Sequence, residues 1–197
     1  KNRPQWFTVT NRSKTYVGKI LAKISGEYFK NYEINKIIRN SNGVKIYYGS
    51  ESEFFTYDKV VLASHADESL KIISDISDKE KEILSNFKYK PNKAVIHSDE
   101  SVMPKNKNAW CSWNSSLSPD NNENSSVTYW LNQLQNLKID KNIFLTINPF
   151  FEIDQNKVFN EIEFTHPYYD ENALQNQTNL KSIQNINKNL FVESYFN

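Results

Sequence analysis

The sequence predicts an α+β fold, in which an antiparallel sheet with flanking helices accompanies a helix, a β-meander and a buried strand. Three observations support this prediction. An amphipathic helix follows Ser13, which can serve as its N-cap; the pair Asn42-Gly43 signals a tight hairpin; and residues 93–148 hold four short strands separated by polar segments. The early part of the chain is therefore helix and meander, and the middle is a separate sheet.

The first part of the chain contains a helix, a hairpin and two further strands. The helix after Ser13 ends at Gly26 and has five apolar residues on one face, Tyr16, Val17, Ile20, Leu21 and Ile24. Strands at 32–39 and 44–49 form the hairpin, and "FFTYD" adds a third strand. The continuous apolar run "KVVLAS" at 59–64 is typical of a strand buried on both faces.

Helices and strands then alternate in blocks. A helix is predicted over 66–73, and Ser77 and Glu80 have the spacing of a capping box that begins the next helix. Four strands follow, "KAVIHS", "AWCSWN", "VTYWLN" and "IFLTIN", with a polar loop at 115–126. The chain continues with a helix over 171–184 and a last apolar run, "LFVESYF".

The composition restricts the class of protein. A length of 197 residues is sufficient for one well-buried core. The net charge of +1, read as scattered charge, argues against a nucleic-acid or anionic-membrane footprint. A single cysteine, Cys111, excludes an intrachain disulfide and fits a reducing compartment. Because we find neither a signal peptide nor an apolar run of roughly twenty residues, we expect a cytoplasmic protein without an integral membrane segment.

Glycine is scarce, and its distribution excludes two phosphate-binding motifs. The chain has four glycines, and none lies beyond Gly49. Loops that cradle phosphates need glycine so that backbone N–H groups can approach the ligand. Neither the dinucleotide-binding fingerprint nor a P-loop can be written with these four residues.

Alternation along three of the strands predicts what we call the polar-aromatic face. Six of its residues lie in "AWCSWN" and "VTYWLN", namely Trp110, Ser112, Asn114, Thr128, Trp130 and Asn132. Trp113 falls on the opposite, core side. The face can be the solvent side of a half-buried sheet, or the wall of a pocket that combines apolar area with a few polar groups.

The other reactive side chains form no recognisable site in the sequence. The spacing of His65, His97 and His166 fits no metal-ligand motif, and Cys111 adds little, so we expect no metal. Each histidine is more simply structural, and no hydrolytic triad is indicated. Lys93 begins a strand and has no evident role by itself.

A series of phrases resembles one protein family. "RPQWFTVTNRSKTYVGKI", "DKVVLASHADESL", "VIHSDESVMPKNKNAWCSWN", "VTYWLNQLQNL" and "LFVESYF" resemble, in this order, the bacterial FAD-dependent oxidoreductases of the flavin-containing amine oxidase superfamily. The chain is also similar to the amino-terminal domain of plant cyclopropane fatty acid synthases. The resemblance covers nearly the whole chain. It implies that this chain corresponds to the middle and late parts of the family's sequence, without the first dinucleotide-binding segment.

Two positions depart from the family pattern. The family usually has Gly-Gly-Ser where this chain has Asn11-Arg12-Ser13, and usually glycine where it has Glu193. The resemblance implies a partial FAD-binding domain of the GR2 type at 1–65 and 186–197, and a substrate domain at 66–185. Glu193 would bring a carboxylate near a cofactor that carries phosphates.

The resemblance also implies roles for individual residues. Ile34, Ala63, Ser64 and Glu193 match positions beside FAD, and Lys93 matches a lysine that holds a water near the flavin. The polar-aromatic face would be the wall for a small-molecule substrate. The function implied is hydride abstraction from a C–N or C–C bond of a substrate that is lipid-related by analogy. The alternative is an accessory domain that keeps the fold without flavin. In either case we expect little FAD to be retained by this chain alone.

Overall fold

The structure is a computed structural model that describes residues 5, 7–49, 52–119, 125–193 and 195. The chain forms two compact units. We call Lys1–Lys30 with Lys93–Ile162 the sheet unit, and Asn31–Asn92 with Glu163–Asn197 the meander unit. Their boundaries differ from those expected at 65/66 and 185/186.

The described residues contain both helices and strands, and the sheets are mainly antiparallel, which confirms the α+β fold class. The helices are α1 (Arg12–Leu21), α2 (Ala66–Ile72), α3 (Asp78–Leu84), α4 (Leu131–Leu134) and α5 (Glu171–Gln177). The strands are β1 (Ile34–Asn40), β2 (Gly43–Tyr48), β3 (Phe54–Tyr57), β4 (Val60–Leu62), β5 (Lys88–His97), β6 (Trp113–Leu117), β7 (Ser125–Trp130), β8 (Phe144–Ile147), β9 (Val158–Tyr168) and β10 (Asn189–Phe191).

The meander unit contains an antiparallel sheet, β1-β2-β3, and a parallel pair, β10-β4. The predicted hairpin is confirmed, since Asn40 pairs with Gly43. Gly43 has φ +145°, and a Cβ there would lie 2.7 Å from the carbonyl oxygen of Tyr57, so only glycine fits. The apolar core of this unit comprises Ile37, Val44, Val60, Leu62, Ala66, Ile73, Ile83, Leu84, Phe87, Ala173, Leu180, Ile183, Phe191 and Tyr195.

The strand expected to be buried on both faces is buried on one. Val60 and Leu62 of β4 lie in the core, whereas Val61 between them is 57% exposed. The prediction was wrong because a continuous apolar run shows which residues are apolar and does not show what covers each face. β10 covers one edge of β4, since Val60 pairs with Asn189 in parallel register.

The sheet unit is built on the strand order β6-β7-β8-β5-β9. Its central strands are aligned so that Asn114 lies opposite Thr128, Thr128 opposite Thr146, and Thr146 opposite Val95. Side chains at these positions share one face of the sheet, and the face alternates along each strand.

Two predictions for this sheet were wrong. "AWCSWN" is not one strand, because β6 begins only at Trp113. The Asn114 side chain accepts a hydrogen bond from the Cys111 backbone N–H (3.1 Å), and this local bond competes with a sheet ladder. The predicted loop at 115–126 is also too long, because β6 runs to Leu117 and β7 starts at Ser125. Residues 120–124 of that loop lie outside the described residues.

Candidate functional site

A cavity of about 550 Å³ lies between β1, β4 and α2 in the meander unit, and we call it the β4 cavity. Isoleucine, valine and leucine side chains form most of its wall. Three charged residues, Glu33, Glu68 and Lys71, also line it. Its volume falls within the range of small-molecule sites, which combine apolar walls with a few polar groups.

Three of the four residues expected beside a cofactor line this cavity. Ile34 comes from the start of β1, and Ala63 and Ser64 follow β4. The Ser64 hydroxyl lies 3.0 Å from that of Ser69, which is fully buried. Ser69 thereby fixes the position of a hydroxyl at the cavity wall.

Glu193, the fourth residue, is not in the wall of the β4 cavity. It follows β10 and is half-buried. Burial raises the pKa of Tyr89 to about 12, with Glu193 adding to the rise, while the Ala66 backbone N–H donates to the Tyr89 hydroxyl (2.7 Å) and opposes it. The Glu193 carboxylate therefore acts on Tyr89, whose ring stacks on that of His65 at 4.2 Å.

Lys93 lines a different cavity, of about 670 Å³, in the sheet unit. Its ammonium forms an ion pair with Glu161 (2.8 Å), and its backbone N–H donates to the Asn148 side chain (2.9 Å). Glu152 and Asp154 line the same cavity. The lysine predicted to act in catalysis thus has a carboxylate partner within its own unit.

The two tryptophans of the polar-aromatic face are in contact. The rings of Trp110 and Trp130 meet edge to face at 5.3 Å, and Trp110 also contacts Phe144 at 5.8 Å. The Trp110 indole N–H donates to the Pro104 carbonyl (2.8 Å), and that of Trp130 donates to Asn142 (2.9 Å). Trp110 reaches this contact from outside a strand, because β6 begins only at Trp113.

The polar residues of this face range from half-buried to buried: Ser112, Asn114 and Asn132 are half-buried, and Thr128 is buried. Thr128 is 2% exposed and Thr146 is fully buried, whereas Trp113, assigned to the core, is 59% exposed. The side-chain amides of Asn114 and Asn132 donate to nearby backbone carbonyls. The Ser112 backbone carbonyl accepts from the backbone N–H of Trp130. None of the six predicted wall residues lines either cavity.

His97 is buried on the same face of the sheet, beside Thr146. The sequence did not predict this contact. The Asp99 backbone N–H donates to His97 Nδ1 (3.1 Å), so Nε2 carries the proton and donates to Thr146 Oγ1 (2.7 Å). Thr146 in turn bonds Thr128 (2.9 Å). Burial lowers the pKa of His97 against the opposing charge of Asp99, so the imidazole is held neutral. The sequence signal that could have predicted this position is the alternation along β5, which places His97 on the same face as Val95.

Asp99 is held by its own set of donors. Although burial alone would raise its pKa, backbone N–H groups of Asp154 and Ser101 and the Lys157 ammonium donate to the carboxylate and lower the pKa far below its ordinary range. These bonds fasten the turn after β5 to the turn before β9. We interpret His97 and Asp99 as structural, since all their contacts lie within the unit.

The described residues contain no group of three or more His, Cys, Asp or Glu side chains placed to hold a metal ion. In the same part of the chain, we find no helix with the length and apolar character needed to cross a membrane.

Comparisons with solved structures identify the fold. A CLA-producing fatty acid isomerase from P. acnes superposes with a TM-score of 0.60 at 15% identity, over 92% of this chain and 47% of that one. A putrescine oxidase double mutant from a redesign of cofactor binding gives a TM-score of 0.60 at 8% identity, over 94% of this chain and 48% of that one. No protein-family model and no curated protein matches the chain.

The chain spans about half the length of these solved structures. At such low identities the likeness shows the fold alone. The chain thus has the α+β fold that a fatty acid isomerase and a putrescine oxidase share with it.

Proposed function

We propose that this chain is the substrate-domain portion, with part of the cofactor-binding domain, of an FAD-dependent amine-oxidase-like oxidoreductase. Bound FAD supplies a hydride acceptor for a C–N or C–C bond of the substrate. The chain's own residues bind and orient the two molecules and exclude water. The resemblance in sequence and the shared fold both support this proposal.

One observation carries the proposal furthest. Ile34 and the pair Ala63-Ser64 come from separate segments, and the sequence resemblance assigns both to the cofactor. In the structure they line the same cavity. The two segments are about thirty residues apart in the sequence. Their meeting at one cavity supports the assignment of both to the same ligand.

The residues of the β4 cavity fit the nucleoside end of FAD. Ile34, Ile37 and Leu62 offer apolar contact to an adenine ring. Carboxylates such as Glu33 and Glu68 are the groups that accept hydrogen bonds from ribose hydroxyls in dinucleotide-binding folds. These two carboxylates outnumber the one cation of the wall, Lys71, so the cavity disfavours phosphate and we assign it to the nucleoside and not to the diphosphate.

Lys93 and the polar-aromatic face are the candidates for contact with the substrate. We propose that Lys93 holds a water near the reacting bond and that Trp110 and Trp130 form the substrate wall. Lys93 lines a cavity large enough for a small ligand, and the tryptophans are already packed together. Because the indole N–H groups donate within the protein, these rings would contribute shape and apolar contact to a substrate.

A lipid-related substrate is the class we favour. The similarity to the cyclopropane synthase domain and the shared fold with a fatty acid isomerase support it by analogy. An amine is the alternative substrate class, because the chain also shares its fold with a putrescine oxidase.

Adenosine and FAD binding to the purified chain test the nucleoside site. We expect both to bind weakly and with similar affinity, because the cavity takes only the nucleoside end. Ala63→Trp fills the exposed wall of the cavity and should abolish binding of both, while Ala109→Trp in the sheet unit should leave it unchanged. Equal binding to the two variants would contradict the assignment.

An accessory domain that keeps this fold without flavin is the alternative. Asn11, Arg12 and Glu193, which replace glycines of the family pattern, favour it. This alternative predicts that the chain ignores adenosine and FAD alike.

A further inference from the structure

The small net charge hides an uneven distribution along the chain. The first thirty residues hold seven Lys or Arg and one Glu, a net charge of +6. The remaining residues hold seventeen Lys or Arg and twenty-two Asp or Glu, a net charge of −5. The expectation of scattered charge overlooked this difference. Such asymmetry is typical of proteins that bind an anionic surface.

Helix α1 lies in the middle of this basic segment and exposes its apolar face. At about 100° per residue, the apolar arc from Tyr16 to Leu21 spans about 140° around the helix and the turn that follows it. The most exposed members of this arc are Tyr16, Val17, Ile20 and Ile24. Their exposed fractions are 46%, 44%, 56% and 50%, and α1 has no buried residue. An apolar face of this size in water needs a partner.

The basic residues stand at both borders of the apolar arc. Lys14 lies on one border, and Arg12 and Lys23 lie on the other, with Lys19 beside them. The described part of α1 and its following turn contains no acidic side chain. This is the arrangement in which long basic side chains reach lipid headgroups while the apolar face enters the acyl boundary.

Exposed aromatic residues also precede and follow the helix in the chain. Phe7 is 82% exposed before α1, and Tyr28 is 58% exposed after it. Aromatic rings are enriched at the level of lipid headgroups. We propose that Phe7–Lys30 lies on the surface of an anionic phospholipid membrane, with α1 parallel to the bilayer plane. This inference uses neither cavity and is independent of the proposed cofactor.

The charge pattern favours an anionic lipid surface over other partners. A nucleic acid would contact the basic side and leave Ile20 and Ile24 in water, whereas a second copy of the chain would bring two basic helices together. An anionic bilayer satisfies the apolar arc and the basic borders at once.

Flotation of the purified chain with lipid vesicles tests the proposal. Vesicles of phosphatidylcholine with about 30% phosphatidylglycerol should carry the protein, and pure phosphatidylcholine should not. About 0.5 M salt should release it. Lys14→Glu with Lys19→Glu should weaken binding at least about tenfold. The matched control is Lys81→Glu with Lys138→Glu, which changes two exposed lysines elsewhere and should bind as the unchanged chain does.

A second measurement locates the contact without charge reversal. An environment-sensitive dye on Ser13→Cys, in a Cys111→Ser background, should shift to the blue with anionic vesicles, because Ser13 lies within the apolar arc. The same dye on the natural Cys111, which is exposed in the sheet unit, should not shift. Equal flotation with neutral and anionic vesicles, or concentration-dependent dimers that leave vesicles unbound, would overturn the proposal.

Discussion

At the scale of single residues, two consecutive non-glycine residues before α1 have the left-handed backbone conformation that favours glycine. Asn11 has φ +61° and Arg12 has φ +66°. These are the two positions at which the resembling family usually has Gly-Gly. Asparagine tolerates this left-handed region, whereas arginine does not favour it. Arg12 therefore holds this backbone conformation at a cost in strain.

Arg12→Gly should relieve that strain. Removing Cβ from a left-handed residue is worth about 1 kcal/mol, and the greater freedom of glycine in the unfolded chain offsets part of it. We expect amide hydrogen exchange in α1 to slow about two- to fivefold. Arg12→Ala keeps the Cβ, so faster or equal exchange in both variants would show that the conformation is not strained.

Thr146→Val tests the buried hydrogen-bond chain around His97. The substitution keeps the shape of the side chain but leaves His97 Nε2 and the Thr128 hydroxyl without their shared partner. The free energy of unfolding should fall by about 1–3 kcal/mol in urea titrations. Thr165→Val removes an exposed hydroxyl and should change it by less than about 0.5 kcal/mol.

The same histidine gives the fold a pH dependence. Burial lowers the pKa of His97 in the folded state, with Asp99 opposing the fall, so below pH 6.5 the unfolded chain takes up a proton that the folded chain does not. The free energy of unfolding is therefore not reduced by His97 above that pH, and it falls as the pH is lowered below it. We expect the NMR titration midpoint of His97 to lie below 6.5, and a midpoint at or above that value would contradict the buried neutral imidazole.

At the scale of elements, a buried ion cluster joins β1 to α3. Arg39, 5% exposed, donates to both carboxylate oxygens of Glu80 (2.6 and 2.9 Å) and to Asp75 (2.9 Å). Although burial would raise the Glu80 pKa, hydrogen bonds from Arg39 and Ser77 lower it. The Ser77–Glu80 capping box was predicted and is confirmed, but the arginine that shares its carboxylate was not.

Glu80→Gln should therefore destabilise the meander unit strongly. The change removes one of the two charges that compensate the buried guanidinium, and the expected loss is about 3 kcal/mol in urea unfolding. Lys71→Met, which breaks an exposed ion pair with Asp67 at 3.4 Å, should cost less than about 0.5 kcal/mol. Similar losses in the two variants would show that the cluster adds no more than a surface pair.

Local sequence signals predicted turns and helix caps correctly. They failed to predict side-chain exposure where it depends on contacts between residues far apart in the sequence. The hairpin at Gly43 and the cap at Ser77 depend on residues a few positions apart, and both are confirmed. The exposure of Val61 and Trp113 depends on which elements cover each face, and those predictions were wrong. The long helix expected over 171–184 is α5 followed by a 3₁₀ helix at Asn179–Ile183, because the Thr178 hydroxyl donates to the Gln175 carbonyl and competes with the regular helix.

At the scale of the whole molecule, the functional proposal depends on positions that the chain brings together from distant segments. Ile34, Ala63 and Ser64 meet in the β4 cavity, whereas Glu193 and Lys93 lie in other surroundings. No periodicity could predict that grouping, since it came from the family resemblance. The fold is shared with two solved structures, and the chain spans about half the length of each.

The most direct test is the visible absorbance of the protein purified at its native length from its source cells. We predict a yellow protein that releases FAD on denaturation, identified by mass, because the proposed function assigns the β4 cavity to the nucleoside end of FAD. A colourless protein that also fails to bind added FAD would contradict the proposed function and leave the accessory domain as the account of this fold.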